Sequence, residues 1–235
     1  MLSLVKEYAA DLFDLFYPNI CLACSQKLLK SEIAICFRCQ SGLPQTEHWL
    51  NVDNKLMNRF RGRVELQSAA ALFHFRKDGP VQHLLHQLKY RNQKEIGELI
   101  GKMFGAKLKE ENSIIKNIDL IVPVPLHWKK LKLRGYNQCD PFAQGLSEAI
   151  NVPWSSTALE RTHENISQTK KKRFDRFGNV AEIFSVIDKE QLKDKHILLV
   201  DDVVTTGATA EACLQTILKT SGTKASFASI AAASR

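Results

Sequence analysis

The sequence predicts an α/β protein, a mostly parallel sheet flanked by helices, with a small N-terminal zinc ribbon in front of it. Two observations carry this expectation. From residue 65 to the C-terminus, short apolar β-branched runs alternate with segments of helical periodicity, the pattern of strands that place helices on both faces of a sheet. Four of the six cysteines lie in the first 39 residues, as two Cys-x-x-Cys pairs. The length of 235 residues suits one α/β domain with an appendage, or two small domains.

The chain opens with "MLSLVKEYAADLFDLFYP", apolar but interrupted by Glu7, Asp11 and Asp14, with no small-residue cleavage site after it. This is the pattern of an amphipathic helix rather than a signal peptide. No apolar run reaches the ~18–20 residues of a membrane span, so the expectation is a cytoplasmic protein without membrane insertion. Cys21-Leu-Ala-Cys24 and Cys36-Phe-Arg-Cys39 follow. Each pair puts two thiolates on one tight turn, and two such turns can close a tetrahedral shell around Zn²⁺, which then organises a segment with little core of its own. Two disulfides and a thioredoxin-like redox pair are the alternatives. A reducing compartment weighs against the first, and the lack of a surrounding βαβ unit against the second. The stretch 41–54, "SGLPQTEHWLNVDN", reads as a polar connector broken by Gly42 and Pro44. The expected division is residues 1–50 for the helix and ribbon, and 60–235 for the α/β domain.

Within that domain, residues 65–76 read as a strand, and "DGPVQHLLHQLKYRN" as a helix opened by Gly79-Pro80, with Val81, Leu84, Leu85 and Leu88 at helical spacing. His83 and His86, three apart without a third ligand, read as surface or packing residues. A second helix is expected over 94–110, a buried strand over 118–126 and a helix over 138–150. Residues 158–179 are long, polar and basic, without periodicity. "EIFSV" and 196–202 read as strands, "GATAEACLQTILKT" as a helix and "KASFASIAAA" as the last strand. Cys139 and Cys213 read as packing residues. Parallel sheets bind ligands at the carboxyl ends of their strands. The segments Val124–Gln138, Arg161–Asn179 and Asp201–Thr209 are expected to meet there in one pocket.

The net charge is +8, and the excess lies between residues 61 and 180, mainly in "HWKKLKLRGYNQ" and "SQTKKKRFDRFGN". Such an excess points to anionic partners, phosphorylated small molecules or nucleic acid. "DDVVTTGATA" (201–210) places a loop of small residues between a buried strand and a helix N-terminus. Successive N–H groups from Thr205 to Thr209 can point into one concavity where the helix dipole favours negative charge. Gly207 permits close backbone approach, and the threonine hydroxyls add donors. No Lys follows the glycine, so this is not the GxxxxGK[ST] nucleotide loop. Asp201 and Asp202 would repel a phosphate unless they held something else on the same ligand. Ribose hydroxyls, or a Mg²⁺ shared with a pyrophosphate, satisfy that condition, and phosphoribosyl pyrophosphate (PRPP) carries all of these groups.

"ILLVDDVVTTGAT" resembles the PRPP-binding motif of type I phosphoribosyltransferases. Together with "IVPVPLHWKKLKLRGYNQ", "ISQTKKKRFDRFGNVAEIF" and the four-cysteine ribbon, it makes nearly the whole chain similar to the ComF family, phosphoribosyltransferase-like proteins associated with DNA uptake in competent bacteria. The resemblance implies a type I phosphoribosyltransferase-like sheet, with Asp201 and Asp202 on ribose hydroxyls and Mg²⁺. Thr205, Thr206, Gly207, Ala208 and Thr209 would cradle the 5-phosphate. The turn after "IVPVP" would be the pyrophosphate loop, offering Arg134 and Lys129 or Lys130. Residues 161–176 would be a basic hood offering Arg161, Gln168, Arg173 and Arg176, with Arg134, Arg161 and Arg176 as the catalytic candidates. Positive charge and exclusion of water suit the departure of pyrophosphate.

Three functions fit. One is a PRPP-binding, ComF-type protein that supports DNA uptake. Another is an active phosphoribosyltransferase of nucleotide salvage or biosynthesis. The third is a single-stranded DNA adaptor with a non-catalytic PRPP site, in contact with DNA-import or recombination proteins. Trp128, Tyr136, Phe174 and Phe177 lie among the basic residues, a composition suited to stacking single-stranded bases. No segment spells out an acceptor base.

Overall fold

The computed structural model describes residues 18–110, 113–162 and 183–233. Its centre is a four-stranded sheet of β1 (Ala69–Phe75), β2 (Leu120–Pro123), β5 (His196–Val204) and β6 (Lys224–Ala233), in the order β1-β6-β5-β2. Every neighbouring pair is parallel, so all carboxyl ends lie along one edge. The strands are apolar on both faces because both faces are covered. On β5, Leu198 and Val200 enter one apolar cluster while Ile197 and Leu199 enter the other; on β6, Ala228 and Ile230 oppose Ala225 and Phe227 in the same way.

One face is covered by α2 (Pro80–Tyr90), α3 (Lys94–Leu108) and α5 (Cys139–Ile150), and the other by α7 (Ala208–Ile217). These helices begin and end where the sequence reading puts them, within a few residues. The packing of α3 on α5 uses small residues: a Cβ on Gly145 would lie 2.1 Å from the Glu98 carbonyl oxygen, and one on Gly101 2.5 Å from that of Phe142. The two backbones touch, and only hydrogen fits between them.

Residues 18–42 form the cysteine module, which ends in α1 (Phe37–Gly42). Its Cys21, Ile35 and Cys36 share the apolar cluster of α2 and α3. The expectation of a polar connector over 41–54 does not hold. Leu43 and Trp49 are buried, and Thr46 N–H donates to Leu72 O while His74 N–H donates to Pro44 O along the β1 edge. Asn54 Nδ2 donates to His48 O, Asn51 O and Ala69 O, and its Oδ1 accepts from Leu56 N–H and Met57 N–H. Thr46 and Asn54 thus satisfy backbone groups of the sheet instead of facing water, while Gln45, Glu47, Asn51 and Asp53 beside them stay exposed.

Residues 158–179, which show no periodicity in the sequence, begin with β3 (Leu159–Arg161). This strand pairs antiparallel with β4 (Phe184–Val186) in a separate two-stranded ribbon. Between them lies most of the basic stretch. Residues 1–17 of the N-terminal helix expected over 1–18, and Gln168, Arg173, Phe174, Arg176 and Phe177, lie outside the described residues. After β2, a short helix α4 (Trp128–Arg134) replaces the expected turn, and α6 (Lys189–Leu192) precedes β5. Among the described residues no helix is long and apolar enough to cross a membrane.

Gly145→Ala should destabilise the protein by about 1–3 kcal/mol, because the added methyl must push two helix backbones apart. Urea unfolding checks this; a midpoint equal to wild type would mean that the contact between α3 and α5 yields freely.

Candidate functional site

β5 ends at Val204, and residues 205–207 turn the chain into α7. Gly207 takes φ +85° as the residue before the helix, and a Cβ there would meet the Phe60 ring at 3.3 Å. It therefore serves both the left-handed turn and the close packing. Phe60 in turn packs on Phe227 of the sheet, ring centroids 5.3 Å apart. The loop's carbonyls are held from outside: Arg59 Nη1 donates to Thr205 O at 2.6 Å and to Val204 O at 3.3 Å, and Arg59 Nη2 donates to Ala233 O. Arg63 Nη1 reaches Thr206 O at 3.4 Å, and Arg63 pairs with Glu211. The N–H groups of Thr205, Thr206, Gly207 and Thr209 meet no acceptor among the described residues, while Ala208 N–H donates to Thr206 Oγ1. Carbonyls turned to arginines and N–H groups left over make a donor array at a helix N-terminus, a ready site for an anion. Arg59 and Arg63 have no sequence signal of their own, since they lie just past the stretch that reads as a connector.

Asp201 and Asp202 lie near the end of β5, before Val203 and Val204. Asp201 Oδ1 accepts from Asp202 N–H at 2.8 Å and from the Cys139 thiol at 3.5 Å. Burial, and then the charge of Asp202, push the Asp201 carboxyl up to about 7. Asp202 is 6% exposed. Its Oδ1 accepts from Val203 N–H at 2.5 Å, and its Oδ2 lies 2.8 Å from Lys89 Nζ. That contact is close but off the line a hydrogen bond needs, so Oδ2 carries charge pairing without a directed bond. Cys139 thus does more than pack: it touches a site carboxylate. One ligand atom from each of Cys139, Asp201 and Asp202 lies within 4.8 Å of the others. The two carboxylates suit a hard divalent cation and the thiol does not, so a Mg²⁺ would use the oxygens alone. Lys89 is the partner that sequence reading missed. Its place in the last turn of α2 looks like a solvated helix end.

Arg134 lies on α4, with its guanidinium over the Tyr90 ring at 5.1 Å and Nη1 on Gln138 Oε1. β2, which precedes α4, and β5, which runs into the 205–209 turn, are parallel neighbours and so end at the same sheet edge. Arg161 closes β3 of the ribbon, its guanidinium 5.5 Å from the Phe184 ring centroid. Arg176 lies outside the described residues. Tyr136, expected as a stacking candidate, is buried and donates its hydroxyl to Leu88 O. Lys129 and Lys130 are exposed on α4.

The second group of ligating side chains is the cysteine module. The four sulfurs of Cys21, Cys24, Cys36 and Cys39 lie within 4.8 Å of one another, and none is in a disulfide. Tetrahedral zinc with Zn–S bonds of about 2.3 Å sets sulfurs about 3.8 Å apart, and Cys24 and Cys36 are separated by 3.8 Å. Cys36 sits just before α1 and Cys39 in its first turn, which brings both to one side. Cys36 N–H donates to Cys21 Sγ at 3.3 Å, the kind of bond that steadies a thiolate ligand. Glu32 braces the turn between the pairs, accepting from Leu29 N–H and Phe37 N–H. The residues fit a zinc ion.

A phosphoribosyl transferase domain matches residues 138–235, from α5 through the 201–209 loop to the last strand. Over 218 residues the chain is 27% identical to the DNA utilization protein YhgH of Escherichia coli K12, covering 86% of this chain and 92% of the relative. It is 24% identical to competence protein F of Haemophilus influenzae over 204 residues, 83% of this chain and 88% of the relative. It is 26% identical to competence protein ComFC of Bacillus subtilis over 205 residues, 86% of this chain and 78% of the relative. All three matches run well beyond the transferase domain itself. With the parallel sheet, the loop that ends β5 and the four-cysteine cluster, they make nearly the whole chain similar to these competence and DNA utilization proteins.

Proposed function

We propose that the chain binds PRPP at the carboxyl edge of its sheet and serves DNA uptake and utilization, as the names of its relatives indicate for those proteins. The observation that carries the ligand is the 205–209 turn, whose carbonyls are engaged by Arg59 and Arg63 while its N–H groups are left for an anion. The 5-phosphate would take these N–H groups and the hydroxyls of Thr205, Thr206 and Thr209, with Gly207 and Ala208 offering no side chain in the way. Asp201 and Asp202 would hold the ribose hydroxyls together with Mg²⁺, which supplies positive charge to the pyrophosphate when bound.

Arg134 would face the pyrophosphate from α4, with Arg161 and Arg176 as the hood's contribution. If an acceptor base is present, its nitrogen lone pair forms the bond to C1 as the C1–oxygen bond breaks. The electrons leave with pyrophosphate, and the surplus proton on nitrogen goes to solvent. Such a step needs positioning and charge more than a general base. Transfer activity in nucleotide salvage is thus the same site with an acceptor added.

The DNA partner is supported by a second face. Trp128 and Tyr90 are 43% and 58% exposed. Lys129 Nζ is 5.5 Å from the Trp128 ring centroid and the Arg134 guanidinium is 5.1 Å from that of Tyr90, with Lys130 and Lys132 exposed beside them. Partly exposed aromatic rings flanked by cations suit single-stranded DNA. Zinc in the cysteine module would brace this assembly, because the module shares its apolar cluster with α2, the helix that carries Lys89 and Tyr90.

Calorimetry should find Mg²⁺-dependent PRPP binding that Asp201→Asn/Asp202→Asn abolishes; no binding to the wild-type protein would remove the ligand. Anisotropy of a labelled single-stranded oligonucleotide should show affinity falling with salt, by a logarithmic slope of about −0.7 per phosphate contacted. Trp128→Ala should weaken it about tenfold, and an unchanged affinity would put DNA elsewhere. Metal analysis should find one zinc per chain, lost in Cys21→Ser/Cys24→Ser together with a lowered melting temperature. Protein purified without zinc and equally stable would refute the metal centre.

A further inference from the structure

The aspartate pair carries a counter-ion from its own chain. Lys89 Nζ lies 2.8 Å from Asp202 Oδ2, and the two side chains are 22% and 8% exposed. The lysine's helix end is fixed: Leu88 is buried, and its carbonyl accepts the Tyr136 hydroxyl. The head group is held differently. Asp202 Oδ2 takes no directed hydrogen bond from any described residue, whereas Asp202 Oδ1 is bound by Val203 N–H and Asp201 Oδ1 by Asp202 N–H. One carboxylate oxygen is therefore held by charge alone, the kind of contact that a stronger cation can take over. Adjacent buried carboxylates repel one another and any incoming phosphate unless a positive charge stands beside them.

We infer that Lys89 is a positioning residue of this site. Its ammonium takes the place beside Asp201 and Asp202 that a divalent cation would otherwise occupy. The ligand-free protein therefore binds divalent metal weakly, and the metal enters with the sugar phosphate. The order of entry rests on the PRPP assignment above; the lysine's competition with metal does not. A site closed in this way stays near neutral before an anionic ligand arrives, and the cation exchange then couples sugar-phosphate binding to release of the Lys89 head group.

The test is Mn²⁺ binding measured by electron paramagnetic resonance on the zinc-loaded protein, without PRPP. Lys89→Met should bind Mn²⁺ about tenfold more tightly than wild type, and Lys89→Arg should behave like wild type. Adding Asp202→Asn to Lys89→Met should remove the gain, which assigns the metal to the pair. Equal Mn²⁺ affinity in wild type and a folded Lys89→Met, judged by circular dichroism, overturns the inference. So does a gain that survives Asp202→Asn. If Lys89→Met does not fold, Lys89→Gln answers the same question, since it removes the charge and keeps a polar head. A protein that fails to bind PRPP in calorimetry but shows the Mn²⁺ gain would refute the PRPP assignment and leave the role of Lys89 standing.

Discussion

The structure depends on how the chain leaves β5. Nine residues of the strand run through the middle of the sheet, and at its end the backbone must reverse into α7 within three residues, with Gly207 packed against Phe60. A strand end normally leaves carbonyls and N–H groups to be satisfied together. Here they are separated: Arg59 and Arg63 take the carbonyls, and the N–H groups remain. Arg59 also reaches the end of β6, so a single side chain ties the loop to the sheet edge. The rest of the molecule supports that geometry. The segment before β1 is packed through Asn54 and Phe60 and so delivers Arg59, while the cysteine module and α2 deliver Lys89 from the other face.

Electrostatics divides the site in two. The loop is a cluster of donors with a helix N-terminus behind it and favours negative charge. The aspartate pair beside it favours positive charge and in the free protein has Lys89. An anion with a polyol and a metal on it is the ligand that can meet both halves at once. Neither half alone accounts for the other, since a carboxylate pair next to a bare phosphate site is repulsive.

Much of this was legible in the sequence because it is written locally. The apolar run of residues 196–200, the aspartates after it and the small-residue turn mark a strand, a carboxyl edge and a helix start by neighbouring residues alone. The two Cys-x-x-Cys pairs do the same for the metal module. What escaped depends on contacts between residues far apart in the chain. Lys89 meets Asp202 across more than a hundred positions, and Arg59 meets Thr205 across 146; no periodicity reports either. Residues 41–54 look wholly solvent-facing although Thr46 and Asn54 serve backbone groups of β1, because a polar residue satisfied in the interior has the same letter as one in water. Tyr136 misled in the opposite sense, its position among basic residues concealing a buried ring whose hydroxyl closes α2. β3 was missed because a three-residue strand has no period to detect.

The central claim is that the 205–209 backbone is the anion receptor. Amide hydrogen exchange by mass spectrometry, on the wild-type protein with and without PRPP and Mg²⁺, tests it at the atoms concerned. The account predicts slowed exchange in the peptide spanning residues 203–210, because N–H groups that lack partners gain them. Ligand binding with unchanged exchange there, and protection confined to other segments, would contradict it.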